Sequence, residues 1–104
     1  MLPLKNRLPA ANFKLRFEKS VAGSYFLIRR RLNKFGYNRL GVIIGAKVDK
    51  RAVRRNYLKR RFREYFRKLA GNIGADFLVI VSPKAGSADF KEIKKELDKT
   101  LLVS

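Results

Sequence analysis

The stretch Arg39–Ser82, "RLGVIIGAKVDKRAVRRNYLKRRFREYFRKLAGNIGADFLVIVS", decides the fold. It opens on an apolar run, "RLGVIIGA" at 39–46, and closes on another, "DFLVIVS" at 76–82. Adjacent apolar residues in both runs predict strands covered on both faces. Between them, Lys47–Lys68 holds 11 Lys or Arg among 22 residues, opposed only by Asp49 and Glu64. Its periodicity predicts a helix from about Arg51 to Leu69, ended by Gly71 and Gly74. Strand, long helix and strand form a crossover unit, right-handed by general tendency. Such a unit predicts an α+β sandwich with one helix-covered sheet.

Outward from this unit, the flanks read more simply. Residues 1–9 carry Pro3 and Pro9, which predicts an irregular arm. "AANFKLRFEKSVAG" at 10–23 reads as a short helix, with Phe13 and Phe17 one turn apart and Gly23 as its stop. "SYFLIRR" at 24–30 reads as a strand, and "LNKFGYN" at 32–38 as a turn. After Pro83 and Gly86, a last helix is predicted over 89–102. Asp89 and Glu92 have capping-box spacing, and Phe90, Ile93, Leu97 and Leu101 form its inward stripe. The predicted order is α-β-β-α-β-α, as a single domain over 1–104.

The central helix divides into faces at about 100° per residue. Leu58, Phe62, Tyr65, Phe66 and Leu69 fall within roughly 100°, an ordinary core stripe. Arg55, Asn56, Lys59, Arg60, Arg63 and Arg67 fall in an adjoining arc of roughly 140°. Arg54, Arg61 and Lys68 lie on the other flank. A solvated helix surface normally mixes Glu with Lys to relieve repulsion. Here Glu64 is the helix's one acid, and it lies outside the cationic arc. Arginine grips phosphate through two hydrogen bonds and stacks on bases. Asn56 adds an amide suited to a base edge or a 2′-hydroxyl.

Whole-chain composition agrees. The 104 residues carry 26 basic and 8 acidic side chains, a net charge of +18. A small domain so charged repels itself until a polyanion binds, and nucleic acid is the usual one. A membrane surface would need an exposed apolar helix face, which the core requires here. No apolar run approaches the roughly 18–20 residues of a membrane span. The absence of cysteine excludes disulfides and fits a reducing compartment, so a cytoplasmic location is expected. With no histidine or cysteine, the commonest general base and the thiol nucleophile are missing. The densest acidic set, Glu92, Glu96 and Asp98, is interleaved with lysines and reads as surface charge compensation. No catalytic or metal site is expected on the chain itself.

At this point the residues reach a resemblance. "RRNYLKRRFRE" resembles the signature of the bacterial ribonuclease P protein family, R-N-x-x-K-R-x-x-R, with Arg55, Asn56, Lys59, Arg60 and Arg63 on its positions. "RLGVIIGAK", "NRLPAANFKLRF" and "DFLVIVSPKAG" resemble the family's other motifs, in the right order over nearly the whole chain. The resemblance implies a fold like domain 2 of ribosomal protein S5, with a left-handed crossover in place of the usual right-handed one. It implies a protein that binds the catalytic ribonuclease P RNA, one protein per RNA, and the 5′ leader of precursor tRNA. It further implies that the RNA performs the magnesium-dependent cleavage, with no cofactor on the protein. Arg54, Arg55, Asn56, Lys59, Arg60, Arg63 and Arg67 are the expected contacts to the RNA. Phe13, Phe17, Arg29, Lys47, Arg55 and Asn56 are those to the leader. Arg29 and Arg31 alternate with Ile28 and Arg30, and the sequence leaves open which pair faces the leader. The chain departs from the family pattern at Ala46 and Tyr57, and in a longer, charged loop at 48–52. The rival readings are a ribosomal or other structural RNA-binding protein, a major-groove DNA reader and a self-sufficient nuclease. Cleavage of precursor tRNA in the presence of the catalytic RNA separates the first. The other two lack a dimerisation heptad and a convergent acidic site, respectively.

Overall fold

In the computed structural model, residues 7–9, 13, 16–68 and 74–103 are described. Four strands, β1 (Lys19–Ala22), β2 (Phe26–Leu32), β3 (Arg39–Ile43) and β4 (Ala75–Val81), form one mixed sheet in the order β1-β2-β4-β3. β1 and β2 are antiparallel, as are β2 and β4, while β3 and β4 are parallel. Helix α1 (Ala52–Lys68) makes the connection between that parallel pair. A short 3-10 helix (Pro83–Ser87) and helix α2 (Phe90–Val103) follow β4. This is the α+β arrangement expected, with both helices on one face of the sheet.

The register explains the division of faces, because directly paired residues share a side. Phe26, Ile28, Leu40, Val42, Phe77, Val79 and Val81 point to the helices and join Leu58, Phe62, Phe90, Ile93 and Leu97 in one core. Phe62 and Phe90 meet edge-on at 5.3 Å, tying α1 to α2. Each such fully buried Leu, Ile or Phe stabilises the fold by about 1.5–3 kcal/mol. The stripes predicted for both helices are therefore the core. Tyr65, Phe66 and Leu101 are partly buried against it, and Leu69 lies outside the described residues.

Three local expectations need correction. The helix expected over 10–23 does not reach its predicted end, because Lys19–Ala22 is the edge strand β1. Its residues have little strand preference. Ladder hydrogen bonds to β2, running from Lys19 opposite Arg30 to Ala22 opposite Leu27, hold it extended. Phe13 lies in a 3-10 turn, Arg16 and Phe17 are in neither helix nor strand, and 10–12 and 14–15 lie outside the described residues. The second correction is at the start of α2. Asp89 caps it by accepting the Lys91 N–H at 3.1 Å, but the Glu92 carboxylate accepts the Tyr25 hydroxyl instead of closing a capping box. The third concerns the acids of α2 as mere surface compensation. Glu96 accepts the Tyr25 N–H at 3.0 Å, in space left by Gly23, where a Cβ would collide with its carboxylate. Asp98 accepts the Tyr65 hydroxyl at 2.6 Å. Burial, and then Asp98, raise the Tyr65 pKa far above the ordinary phenol value.

Candidate RNA interface

Two surfaces emerge, and β3 links them. The first is the outer side of α1. Leu58 and Phe62 anchor the helix in the core, and this turns Asn56, Arg60 and Arg67 into solvent and leaves Lys59 and Arg63 half-buried at the rim. None of these five has an ion pair or side-chain hydrogen bond within the described residues. Burial lowers the Arg63 pKa, and the nearby charge of Arg7 lowers it further. A guanidinium so treated is still a cation at neutral pH. Arg7 belongs to the arm that bridges the outer edge of β3, where Leu8 donates its N–H to the Leu40 carbonyl at 2.8 Å.

Arg54 and Arg55 differ from the rest of the expected RNA-binding set. Arg54 donates to the Ala88 carbonyl at 3.0 Å and lies 5.0 Å from the centre of the Tyr57 ring. Arg55 donates to the carbonyls of Asp49 and Lys50 at 3.1 and 3.3 Å. Both brace the start of α1, each with further donors left over. In the loop before it, Asp49 accepts the Arg51 N–H and pairs with its guanidinium at 2.9 Å. These contacts hold the Asp49 pKa down at about 2. The longer loop is thus closed by its own ion pair.

The second surface is the sheet face turned away from the helices. Arg29, Gly41 and Leu78 share it by register. The Phe13 ring lies against Gly41, where a Cβ would collide with it. Phe13 is therefore half-buried on the outer sheet face instead of in the core, and Phe17 is also half-buried. By register, Arg29 and Arg31 point to this face, and Ile28 and Arg30 to the helix side. Arg29 is exposed, and Lys47 is exposed in the turn at the far end of β3. Five of the six expected leader contacts thus fall into two groups, Phe13 and Arg29 on the outer face, and Lys47, Arg55 and Asn56 around the β3–α1 loop; the sixth, Phe17, is half-buried in the segment before β1.

A third cluster, absent from the sequence reading, closes one end of the outer face. Asp76 is fully buried, accepting Arg39 Nε at 2.8 Å, Arg39 Nη2 at 2.9 Å and Asn33 Nδ2 at 2.8 Å. Arg31 adds a looser ion pair at 3.4 Å. Burial pushes the Asp76 pKa up, but the hydrogen bonds from Arg39 and Asn33 and the two arginine charges outweigh it and leave the group below its ordinary value. The signal was present in the sequence, since Arg39 and Asp76 are the charged residues opening two otherwise apolar runs. With this cluster, every one of the eight carboxylates has a structural partner: Glu18 accepts the Leu32 N–H, Glu64 meets Arg61, and the other six are accounted for above.

Comparison with known proteins places this geometry. The family model for Ribonuclease P matches residues 11–103. The ribonuclease P protein component of Chromobacterium violaceum is 46% identical over 68 residues, 64% of this chain and 54% of that protein. The counterpart from Thermotoga maritima is 41% identical over 76 residues, 72% of this chain and 64% of that one. These alignments thus span between half and two thirds of the relatives' lengths. Solved structures align further. The Thermotoga maritima protein superposes with a TM-score of 0.73 at 34% identity, covering 88% of this chain and 90% of that one. The Staphylococcus aureus protein gives 0.81 at 28% identity, covering 94% of each.

Proposed function

Since the chain belongs to the ribonuclease P protein family, we propose that it is the protein subunit of a ribonuclease P ribonucleoprotein, one copy per catalytic RNA. It binds that RNA and the 5′ leader of precursor tRNA, and assists endonucleolytic release of the leader. The observation that carries this reading is the outer arc of α1. Asn56, Lys59, Arg60, Arg63 and Arg67 are presented together without an acidic partner among the described residues. Cations left uncompensated on one helix face repel each other, and phosphates relieve that repulsion. Magnesium, which supplies the charge stabilisation for phosphodiester hydrolysis, is held by the RNA in this reading. The subunit works in the cytoplasm. The described residues include no helix long and apolar enough to cross a membrane.

The outer sheet face takes the leader in this account. Phe13 offers an aromatic surface for unpaired bases, whose stacking tolerates many sequences. Arg29, level with Gly41 across the sheet, and Lys47, beyond the end of β3, supply phosphate contacts, and Phe17 is the second aromatic assigned to the leader. Changing Arg29 and Lys47 together to alanine is expected to weaken holoenzyme binding of precursor tRNA by about tenfold to a hundredfold, at about 0.7–1.4 kcal/mol or more per charge-assisted contact. Binding of mature tRNA, which has no leader, is expected to stay unchanged. Parallel titrations of the two tRNAs check this. Equal losses for both would remove the leader from the account.

A further inference from the structure

We propose that the β2–β3 loop carries a second stacking platform for unpaired RNA, built on Phe35, which extends the leader path beyond Phe13. The inference rests on the function proposed above and adds a site to it. Phe35 is 53% exposed, unusual for a ring in a loop so firmly tied down. Its N–H donates to the Asn33 side chain at 2.9 Å, and Asn33 is itself fixed by Asp76 and by the Tyr37 carbonyl. The Arg39 guanidinium lies 4.5 Å from the centre of the Phe35 ring. Arg39 is buried and held by two hydrogen bonds to Asp76, so it cannot follow a moving ring. Tyr37 stands beside the ring at 5.7 Å, tilted by 34°. The loop thus spends a buried ion pair on orienting an aromatic ring that remains open to solvent.

The surroundings select the occupant. Arg31 joins the Asp76–Arg39 cluster beneath the ring, Lys34 next to Phe35 in the chain is exposed, and Arg29 lies one row along the same sheet face. Asp76 is wholly buried, and Glu18 is engaged by the Leu32 N–H. An aromatic face among cations fits a nucleobase with its phosphates better than an apolar protein segment. The position fits as well. Arg39 and Gly41 are same-face neighbours on β3, about 7 Å apart. Phe13 sits on Gly41 and Phe35 on Arg39, whereas Lys47 lies beyond the opposite end of the strand. A strand of RNA that passes Lys47 and then Phe13 reaches Phe35 next.

The test uses the holoenzyme assembled from a bacterial ribonuclease P RNA and the full chain, with precursor tRNAs whose leaders are lengthened one nucleotide at a time. The wild type is expected to gain affinity in two steps as the leader grows. Phe35→Ala should erase the later step, about tenfold or roughly 1.4 kcal/mol, and keep the earlier one. Phe35→Trp should keep both. Phe35→Ala matching the wild type at every length would overturn the proposal. So would equal loss in Phe35→Ala and Phe35→Trp, since the ring would then act only through folding. A wild type that gains nothing from any leader would overturn the leader-binding function itself, a different failure from the first two.

Discussion

Asp76→Ala is expected to remove about 3–5 kcal/mol of stability, read as a fall in the urea midpoint at pH 7 with the slope unchanged. A domain of this size has about 5–15 kcal/mol in total, so the loss takes a large share of it. The cost does not come from the worth of the ion pair as such. It comes from leaving Arg39, 8% exposed, buried without a counter-charge beneath the Phe35 loop. Replacing Arg39 and Asp76 together with apolar residues of similar volume should therefore cost much less than either single change. If the double change costs as much as the sum of the two singles, the pair is not a coupled unit.

The same group sets an acid limit. Its folded pKa is depressed, so the unfolded state takes up a proton at higher pH than the folded one. The stability it contributes is then complete above the unfolded value of about 3.9. It is lost as pH falls below that and through the folded value. Asp49, held at about 2, acts in the same direction but from an exposed loop. Stability measured from pH 6 to pH 2 should fall in this window, and Asp76→Asn should flatten most of the drop. An unchanged acid limb in the variant would assign the acid sensitivity elsewhere.

The second large effect concerns binding. Lys59→Ala, Arg60→Ala and Arg63→Ala together should weaken binding to the ribonuclease P RNA by about a thousandfold, at roughly 1.4 kcal/mol per charge-assisted contact. They should also make the log–log salt slope shallower by about 2–3, since each phosphate contact contributes about 0.7–0.9. These three residues are better targets than Arg54 and Arg55, whose guanidiniums brace the start of α1 and whose loss would mix folding with binding. A triple variant that bound as tightly as the wild type, with the same salt slope, would show that the arc does not face RNA.

The central helix and its two strands were legible because their signals are local. The stripe of Leu58 and Phe62 and the uninterrupted apolar runs at 40–44 and 77–81 leave few alternatives. The signature on α1 was legible for the same reason: five spaced residues lie within three turns. What escaped the sequence is non-local. β1 exists because β2 lies beside it, and the residues Lys19, Ser20 and Ala22 carry no strand pattern of their own. The Asp76 cluster joins four residues from β2, its following turn, β3 and β4. Its members read individually as one acid, two bases and a turn asparagine. The outer-face position of Phe13 depends on Gly41, 28 positions later in the chain (41 − 13), where periodicity alone suggests a core residue.

The most direct test of the account is cleavage of a precursor tRNA by a bacterial ribonuclease P RNA at low magnesium, with and without this protein. The account predicts that the protein restores cleavage at the mature 5′ end and that the Lys59, Arg60 and Arg63 triple variant does not. A protein that binds the RNA yet never restores cleavage would contradict it and leave a structural RNA-binding role in its place.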